Sequence, residues 1–412
     1  MSQTHSRRMF LKSLAAASGA AILGGRVPRA LASLPTAKIT KVSIYSPPNL
    51  NMLFNQSNMV VTVETDSGLI GVGEGGARDT LEQCAGRLIG KNPFDIEACW
   101  QDMYRSWFYP PGREKIHALG ALDIALWDIK GKALDVPVYE LLGGMVRKHC
   151  ESYPTGSGGG ALKDRAKGTM DAGYRAFRMD SASLTRGDTT YEPHNRVRQV
   201  IQDCKDAREG VGKNGDWLID LHQRFDFNDG LRCCKAIEEY EPYLVEDPVR
   251  TEAFLEDIPK IRTQTVVPLA AGEEWGQRWD FNKLVENHDV DYIRATLPNV
   301  GGVTEMHKVA ALCETHFVGI VPHFTGPIAT ATLIHVLGAF SGPVLFEYNY
   351  GDRPIPYLPE FLTFKEGKLY PNGRPGIGVK LDLKSLKLVS EITVANTDRQ
   401  LYFRPDGSMT NW

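Results

Sequence analysis

Three stretches that each run from apolar residues to a carboxylate decide the fold: Trp217-Leu218-Ile219-Asp220, Tyr243-Leu244-Val245-Glu246 and Leu269-Ala270-Ala271-Gly272-Glu273. The runs are short and apolar, as buried β-strands are. Their carboxylates stand 26 and 27 residues apart in the chain, about the length of one strand, one helix and their connections. This period predicts parallel strands whose carboxyl ends meet on one rim.

Five further apolar segments continue the pattern on both sides, and segments of helical spacing separate them. They are residues 151–154, 176–179, 292–295, 318–322 and 344–346. Eight strands that alternate with helices predict a closed (β/α)8, TIM-like barrel of the α/β class. We expect this barrel to occupy residues 150–355.

The chain before the barrel has a different rhythm. Residues 42–45, 59–65 and 70–73 have the pattern of antiparallel strands, and a helix with one apolar face is predicted from Ile116 to Leu134. A polar segment that includes Asn49 to Asn55 is long enough to act as a lid. Residues 36–149 are therefore predicted to form an N-terminal α+β module, to which residues 356–412 return.

The first 32 residues have the features of an export signal. Ser6-Arg7-Arg8-Met9-Phe10-Leu11-Lys12 precedes a small-residue apolar run and then Ala30-Leu31-Ala32, which has the form of a signal peptidase site. The apolar run is too short and too rich in Ala and Gly to span a hydrocarbon core of ~30 Å. We therefore predict a twin-arginine signal peptide over residues 1–32, export to the periplasm or beyond, and no membrane insertion.

Composition excludes several classes of function. With 42% hydrophobic and 24% charged residues, the chain has the composition of an ordinary globular protein. Its formal net charge of -3 and the absence of a basic stripe argue against a nucleic-acid partner and favour a small-molecule ligand. The seven cysteines lack the paired short spacing of a zinc site or a disulfide framework. We expect them to be free and mostly buried.

The repeating carboxylates predict a metal site. Asp220, Glu246 and Glu273 on adjacent strands would repel one another unless a cation lay between them. Ligands that are all oxygen favour Mg²⁺, with Mn²⁺ as the alternative, over Zn²⁺. The same series of strand ends continues, at similar intervals, with Thr296, His323 and Glu347.

The segment Ala121-Leu-Asp-Ile-Ala-Leu-Trp-Asp-Ile-Lys-Gly-Lys132, the three carboxylates and Gly301-Gly302 resemble the mandelate racemase group of the enolase superfamily. The resemblance covers essentially the whole chain after the predicted signal. It implies a capping domain completed by the C-terminal tail, a barrel, and chemistry that begins by removing the proton α to a carboxylate. In that family the metal binds the carboxylate and stabilises the enediolate as its charge develops.

His222, in Asp220-Leu-His222-Gln-Arg224, resembles the general acid of sugar-acid dehydratases of the D-mannonate, D-gluconate and D-galactonate types. There it protonates the departing β-hydroxyl. Residues two apart at a strand end point the same way, so His222 is expected beside Asp220. A histidine that only hydrogen-bonds a ligand carboxylate is the alternative. The same resemblance implies substrate-binding roles for Arg224, Arg294 and Trp412.

The resemblance leaves two candidates for the base. His323 matches the histidine base of galactonate dehydratases, although those enzymes orient it with an Asp where this chain has Thr296. Arg178 and Tyr191 match the pair that is the base in mannonate dehydratases. Asp180, at the end of the second strand, is the next candidate if neither of these removes the proton.

The expected function is that of a Mg²⁺-dependent dehydratase, a carbon-oxygen lyase that converts an aldonate-type sugar acid into a 2-keto-3-deoxy acid. The second strand reads Arg178-Met-Asp180, without the Lys-x-Lys that racemases and cycloisomerases of the superfamily often carry there. An epimerase or cycloisomerase of a sugar-derived acid, and a non-catalytic sugar-acid-binding protein, remain open. Glu347 would hydrogen-bond the enediolate side of the site or pair with a nearby cation. The family resemblance also implies a homo-oligomer, either a dimer or an octamer.

Overall fold

A computed structural model describes residues 34–48, 58–155, 159–180, 190, 192–250, 254–398 and 401–411. The predicted signal peptide, the predicted lid segment, Tyr191 and Trp412 lie outside these residues, and so does the side chain of Asp180. In the described part of the chain, no helix is long and apolar enough to cross a membrane.

The strands and helices are numbered in chain order. The strands are β1 Ile39–Ser46, β2 Val60–Thr65, β3 Ile70–Glu74, β4 Cys150–Tyr153, β5 Ala176–Asp180, β6 Asp216–Asp220, β7 Leu244–Glu246, β8 Leu269–Ala271, β9 Tyr292–Ile293, β10 Gly319–Ile320, β11 Phe346–Glu347, β12 Thr363–Lys365, β13 Lys368–Tyr370, β14 Lys387–Ile392, β15 Tyr402–Phe403 and β16 Met409–Thr410. The α-helices are α1 Arg78–Gly86, α2 Ile96–Arg105, α3 Arg113–Ala133, α4 Val138–Leu141, α5 Leu162–Asp171, α6 Pro193–Val211, α7 Phe227–Ala236, α8 Phe254–Arg262, α9 Arg278–Glu286, α10 Val303–Thr315 and α11 Pro327–Ala339.

The capping domain is built on an antiparallel sheet with the strand order β14-β1-β2-β3. Val42 in β1 lies opposite Val63 in β2 on one side and opposite Ile392 in β14 on the other. Val42 and Val63 are fully buried, as β-branched residues on the covered face of a sheet usually are. The predicted meander and the predicted return of the C-terminal tail are both confirmed.

The barrel consists of the eight parallel strands β4 to β11. Strands β5 to β10 pair in chain order, and β11 pairs with β4. The Ile320 N–H donates to Pro343 O at 2.9 Å, which joins β10 to the segment before β11. The Arg175 N–H donates to Ser152 O at 3.0 Å, which joins β5 to β4. The barrel therefore closes, as predicted from the alternating strands and helices.

Helix α3 lies between the capping sheet and the barrel, and this position explains its sequence. It packs so closely on β3 that a Cβ at Gly73 would lie 1.9 Å from the carbonyl oxygen of Ala121. Asp123 on the same helix accepts hydrogen bonds from the N–H and the hydroxyl of Thr304, at the start of α10 in the barrel. Asp123 thus caps a barrel helix from another domain, where an anion is favoured.

Asp128, further along α3, connects three parts of the chain. Its carboxylate accepts hydrogen bonds from the N–H groups of Val72 in β3 and Ile377 in the C-terminal segment, both at 2.9 Å. It also pairs with Lys132 at 2.6 Å, while Asp128 itself is fully buried. Burial raises the pKa of Asp128, and Lys132 and the two N–H groups oppose that rise.

All seven cysteines are free and buried, as predicted from their irregular spacing. Burial raises the pKa of Cys84, Cys99, Cys150, Cys233 and Cys313 to about 12. The thiols therefore stay protonated near neutral pH and act as small apolar side chains.

We expect Asp128→Ala to lower the free energy of unfolding by about 3 kcal/mol, because it leaves two buried N–H groups without an acceptor and removes an ion pair. The midpoint of urea unfolding measures this change. Asp171→Ala is the matched control, since Asp171 pairs with Lys167 on the surface at 2.6 Å with both side chains more than 60% exposed. That control should change stability by less than about 0.5 kcal/mol. Equal effects of the two substitutions would contradict the assignment.

Candidate active site

The predicted carboxylates gather at the carboxyl ends of the barrel strands. Asp220 ends β6, Glu246 ends β7, and Glu273 follows β8 by two residues. All three are buried. Burial raises the pKa of Glu246 to about 7, with Asp220 adding to the rise, and burial raises the pKa of Glu273 to about 7, with Glu246 adding to it. The cluster is therefore short of positive charge.

Asp247, which is not one of the predicted ligands, also belongs to this cluster. Among the described residues, Glu246, Asp247 and Glu273 each offer one carboxylate oxygen, and these oxygens lie within 4.8 Å of one another. Glu246 Oε2, Asp247 Oδ1 and Glu273 Oε2 are buried and have no hydrogen-bond donor within the described part of the chain. The three residues thus bring carboxylate oxygens close together, and each residue has one buried oxygen without a donor, a combination that is suited to a divalent cation.

The backbone explains why Asp247 could be missed. Successive residues of a strand point to opposite faces, so Asp247 should point away from Glu246. Instead β7 ends at Glu246, and Asp247 has a φ of 45°, in the left-handed region. Gln223 holds its other oxygen at 2.9 Å. The pattern Glu246-Asp247-Pro248, with a second carboxylate directly after the one that ends a short strand, was the available signal.

Asp220 makes different contacts from the other two predicted ligands. Its Oδ2 accepts a hydrogen bond from the guanidinium of Arg178 in β5, and its Oδ1 accepts from the N–H of His222 at 2.6 Å. Asp220 is not in the group of oxygens that lie within 4.8 Å of one another. Glu246 and Glu273 are thus brought together with Asp247, and the role of Asp220 as a metal ligand stays a prediction.

His222 lies near the cluster, but not for the reason that strand geometry suggested. The strand has already ended, and His222 and Gln223 have φ values of 52° and 58°. Asp220 holds this left-handed turn through the His222 N–H, and the carbonyl of Asp247 holds it through the Gln223 N–H. The imidazole is half exposed, with its Nε2 3.9 Å from Glu273 Oε1.

His323 lies near the other carboxylate oxygen of Glu273, the one that His222 does not approach. Its Nε2 lies 3.5 Å from Glu273 Oε2, and its ring packs against Phe324. Burial lowers the pKa of His323, and Glu273 opposes that shift. Its Nδ1 and the hydroxyl of Thr296 are buried and have no hydrogen-bond partner among the described residues. Within the described part of the chain, the Nδ1 of His323 thus has no carboxylate partner.

Arg294 directly follows β9 and is buried inside the barrel. Its Nε donates to Glu246 at 2.5 Å, and one Nη donates to Glu347 at 2.5 Å. The other Nη contacts the hydroxyl of Tyr153 and the carbonyl oxygens of Val321 and Pro322. Arg294 is fully buried, so these contacts favour a positioning role. The substrate contact expected from the resemblance stays a prediction.

Glu347 pairs with a nearby cation, the guanidinium of Arg294, which is one of the two roles predicted for it. Besides the Arg294 guanidinium, its carboxylate accepts hydrogen bonds from the Phe324 N–H at 3.0 Å and from the hydroxyl of Thr155. Burial would raise the pKa of Glu347, but Arg294 and then His323 hold it well below its usual range. Glu347 is therefore a fixed anion, and its contact with the enediolate stays a prediction.

Of the other predicted site residues, Arg178 and Arg224 are among the described residues, and Tyr191 and Trp412 are not. Arg178 lies at the rim with its guanidinium on Asp220, while Tyr191, its predicted partner, is outside the described residues. Arg224 is exposed in the loop after β6. Trp412 is also outside the description, although Asn411 before it accepts a hydrogen bond from Arg105 at 2.8 Å, so the chain end lies against α2.

Two family models match most of the chain. Residues 37–143 match the N-terminal domain of the mandelate racemase/muconate lactonizing enzyme family, and residues 161–385 match the enolase C-terminal domain-like family. Curated relatives include the D-galactonate dehydratase of Pectobacterium atrosepticum, 32% identical over 91% of this chain and 100% of that protein. The D-galactonate dehydratase of Xanthomonas oryzae pv. oryzae is 33% identical over 86% of this chain and 96% of that protein.

Solved structures give the same result. An enolase superfamily member from Salmonella Typhimurium superposes with a TM-score of 0.78 and 27% identity, covering 87% of this chain and 100% of that one. An enolase from Pantoea ananatis with bound D-gluconate and Mg superposes with a TM-score of 0.77 and 26% identity, covering 85% and 94%. The chain therefore belongs to the mandelate racemase/muconate lactonizing enzyme group of the enolase superfamily, as a hydro-lyase.

Proposed function

We propose that this protein is a Mg²⁺-dependent dehydratase of an aldonate-type sugar acid. It would remove the proton α to the carboxylate and eliminate the β-hydroxyl to leave a 2-keto-3-deoxy acid. The observation that carries the proposal is the cluster of Glu246, Asp247 and Glu273, with His222 and His323 at the two oxygens of Glu273. D-Galactonate is the first substrate to test, because two curated relatives are D-galactonate dehydratases.

The metal would be held by Glu246, Glu273 and either Asp247 or Asp220, with Mn²⁺ able to replace Mg²⁺. A divalent cation in such a site supplies electrostatic stabilisation of the negative charge that develops on a substrate carboxylate. The raised pKa values of Glu246 and Glu273 support this, since a cation would restore their ionised forms.

The two histidines are suited to opposite proton transfers. His323 is buried and its pKa is lowered, so its neutral form, a proton acceptor, predominates near neutral pH. His222 is half exposed, in reach of solvent protons, and is the candidate acid for the departing hydroxyl. The pair Arg178 and Tyr191 remains the alternative base. Export through the twin-arginine pathway and a dimeric or octameric state are proposals from the sequence alone.

The proposed function is tested by incubating the purified chain with D-galactonate, D-gluconate, D-mannonate and galactarate and measuring 2-keto acid. We expect one of these acids to yield a 2-keto acid, with turnover abolished by EDTA and restored by Mg²⁺. Solvent deuterium in recovered substrate without 2-keto acid would identify an epimerase or cycloisomerase instead. Binding without turnover or exchange would identify a sugar-acid-binding protein.

We expect Glu246→Gln to abolish metal-dependent turnover and to weaken Mg²⁺ binding by at least about tenfold, measured by titration calorimetry on EDTA-stripped protein. The chain should stay folded, because the glutamine oxygen can still accept the hydrogen bond from Arg294. Near wild-type binding would refute the metal assignment. Asp220→Asn and Asp247→Asn are measured in the same way. The third ligand is the residue whose substitution weakens Mg²⁺ binding about as much as Glu246→Gln does.

The two candidate bases predict opposite results in solvent exchange of the substrate α-proton. If His323 is the base, His323→Asn stops the exchange and Tyr191→Phe leaves it largely intact; the reverse pattern identifies Arg178 and Tyr191. We expect the first result, because His323 lies at the cluster with its pKa lowered. His222→Asn is the control, and it should slow hydroxyl departure by ~10² to 10⁴ while exchange persists. Full exchange in both base variants would leave Asp180 as the candidate.

A further inference from the structure

Helix α11 begins directly after the loop that carries His323, and its N-terminus has no local cap. Gly326 at the N-cap position has no side chain to accept the first N–H groups, and Pro327 follows it. The N–H groups of Ile328 and Ala329 therefore need an acceptor from elsewhere, because the first turn of a helix cannot satisfy its own donors.

The acceptor comes from the capping domain. Glu74, the last residue of β3, reaches this helix terminus, and its Oε2 accepts a hydrogen bond from the Ala329 N–H at 2.9 Å. The nearby Ile328 N–H also acts to lower the pKa of Glu74, whose Oε1 is buried and has no hydrogen-bond partner among the described residues. Glu74 is 1% exposed, so the contact is shielded from water.

Gly326 provides the space for this carboxylate. A Cβ at Gly326 would lie 2.1 Å from Glu74 Cδ and 2.3 Å from both carboxylate oxygens, which are its three nearest atoms. The backbone of Gly326 has a φ of -59° and a ψ of 161°, which alanine adopts without strain. The obstacle to a side chain here is therefore Glu74 itself.

The loop from Val321 to Gly326 is held at each end. Arg294 donates to the carbonyls at its start, and the Phe324 N–H donates to Glu347. The hydroxyl of Tyr350 donates to Thr325 O at 2.8 Å. Glu74, which belongs to the capping domain, fixes the end of the loop at the start of α11.

We infer that Glu74 is a positioning residue through which the capping domain sets the loop that carries His323 against Glu273. The contact itself is read from the described residues, whereas its effect on proton removal rests on the proposed function. Burial raises the pKa of Glu74 to about 8, so the neutral carboxyl group predominates near pH 7. A glutamine reproduces that form, with an oxygen that can still accept from Ala329.

The test compares Glu74→Ala and Glu74→Gln in the full chain by hydrogen exchange and mass spectrometry of peptides that cover residues 321–332. We expect Glu74→Ala to speed exchange there by about tenfold, the factor that loss of an ordinary N-cap would give. Glu74→Gln should retain most of the protection. Trp100→Phe is the control, because Trp100 joins the capping domain to Gly301 at 2.9 Å and not to this loop. It should leave residues 321–332 unchanged.

Gly326→Ala tests the same contact from the other side. Alone, Gly326→Ala should displace the Glu74 side chain and speed hydrogen exchange as much as Glu74→Ala does. Combined with Glu74→Ala, it should cause no further increase, because the carboxylate that the new Cβ would meet has been removed. Additive effects, or wild-type exchange in Glu74→Ala, would overturn the inference.

An activity measurement then tests the positioning role. If an acid sugar is turned over, Glu74→Ala should lower kcat about tenfold or more with little change in KM, and Glu74→Gln should restore most of it. An unchanged kcat in Glu74→Ala would overturn the positioning role. No turnover by the unmodified chain would refute the proposed function, and the exchange results would still decide the contact.

Discussion

The buried guanidinium of Arg294 is the interaction on which the candidate active site depends. It pairs with Glu246 and Glu347 across the inside of the barrel and hydrogen-bonds two carbonyl groups of the segment before His323. Removing one partner of such a buried network leaves an uncompensated charge, which costs about 3–5 kcal/mol. Arg294 therefore fixes the orientation of a predicted ligand and of the His323 loop with one planar group.

The positive charge of Arg294 does not neutralise all the carboxylates of the site. In the described part of the rim, the carboxylates of Asp220, Glu246, Asp247, Glu273 and Glu347 face the two guanidinium groups of Arg178 and Arg294. Burial raises the pKa values of Glu246, Asp247 and Glu273, and the neighbouring carboxylates add to the rise. A divalent cation would remove most of the excess negative charge, so the charge of the site and the expected cofactor are consistent.

Periodicity was sufficient to predict the barrel and its rim, because carboxylates at strand ends repeat with the length of one βα unit. The antiparallel sheet and the return of the tail followed equally from pattern. Pattern could not reveal the left-handed turns at His222 and Asp247, since their φ values are set by contacts between neighbouring strand ends. It also could not show that Arg294 is fully buried and pairs with Glu246 and Glu347, because residue spacing does not tell which side chains meet inside the barrel.

The seven buried thiols bear on whether the chain should fold before it meets an oxidising environment. Thiol–disulfide exchange requires a thiolate that can be reached, and the folded protein offers neither exposure nor ionisation at its cysteines. An unfolded copy would present all of them at once. Folding before any contact with an oxidant would therefore keep these thiols from forming wrong cross-links. The twin-arginine export that we propose from the sequence would move the chain in its folded form, in which these thiols are covered.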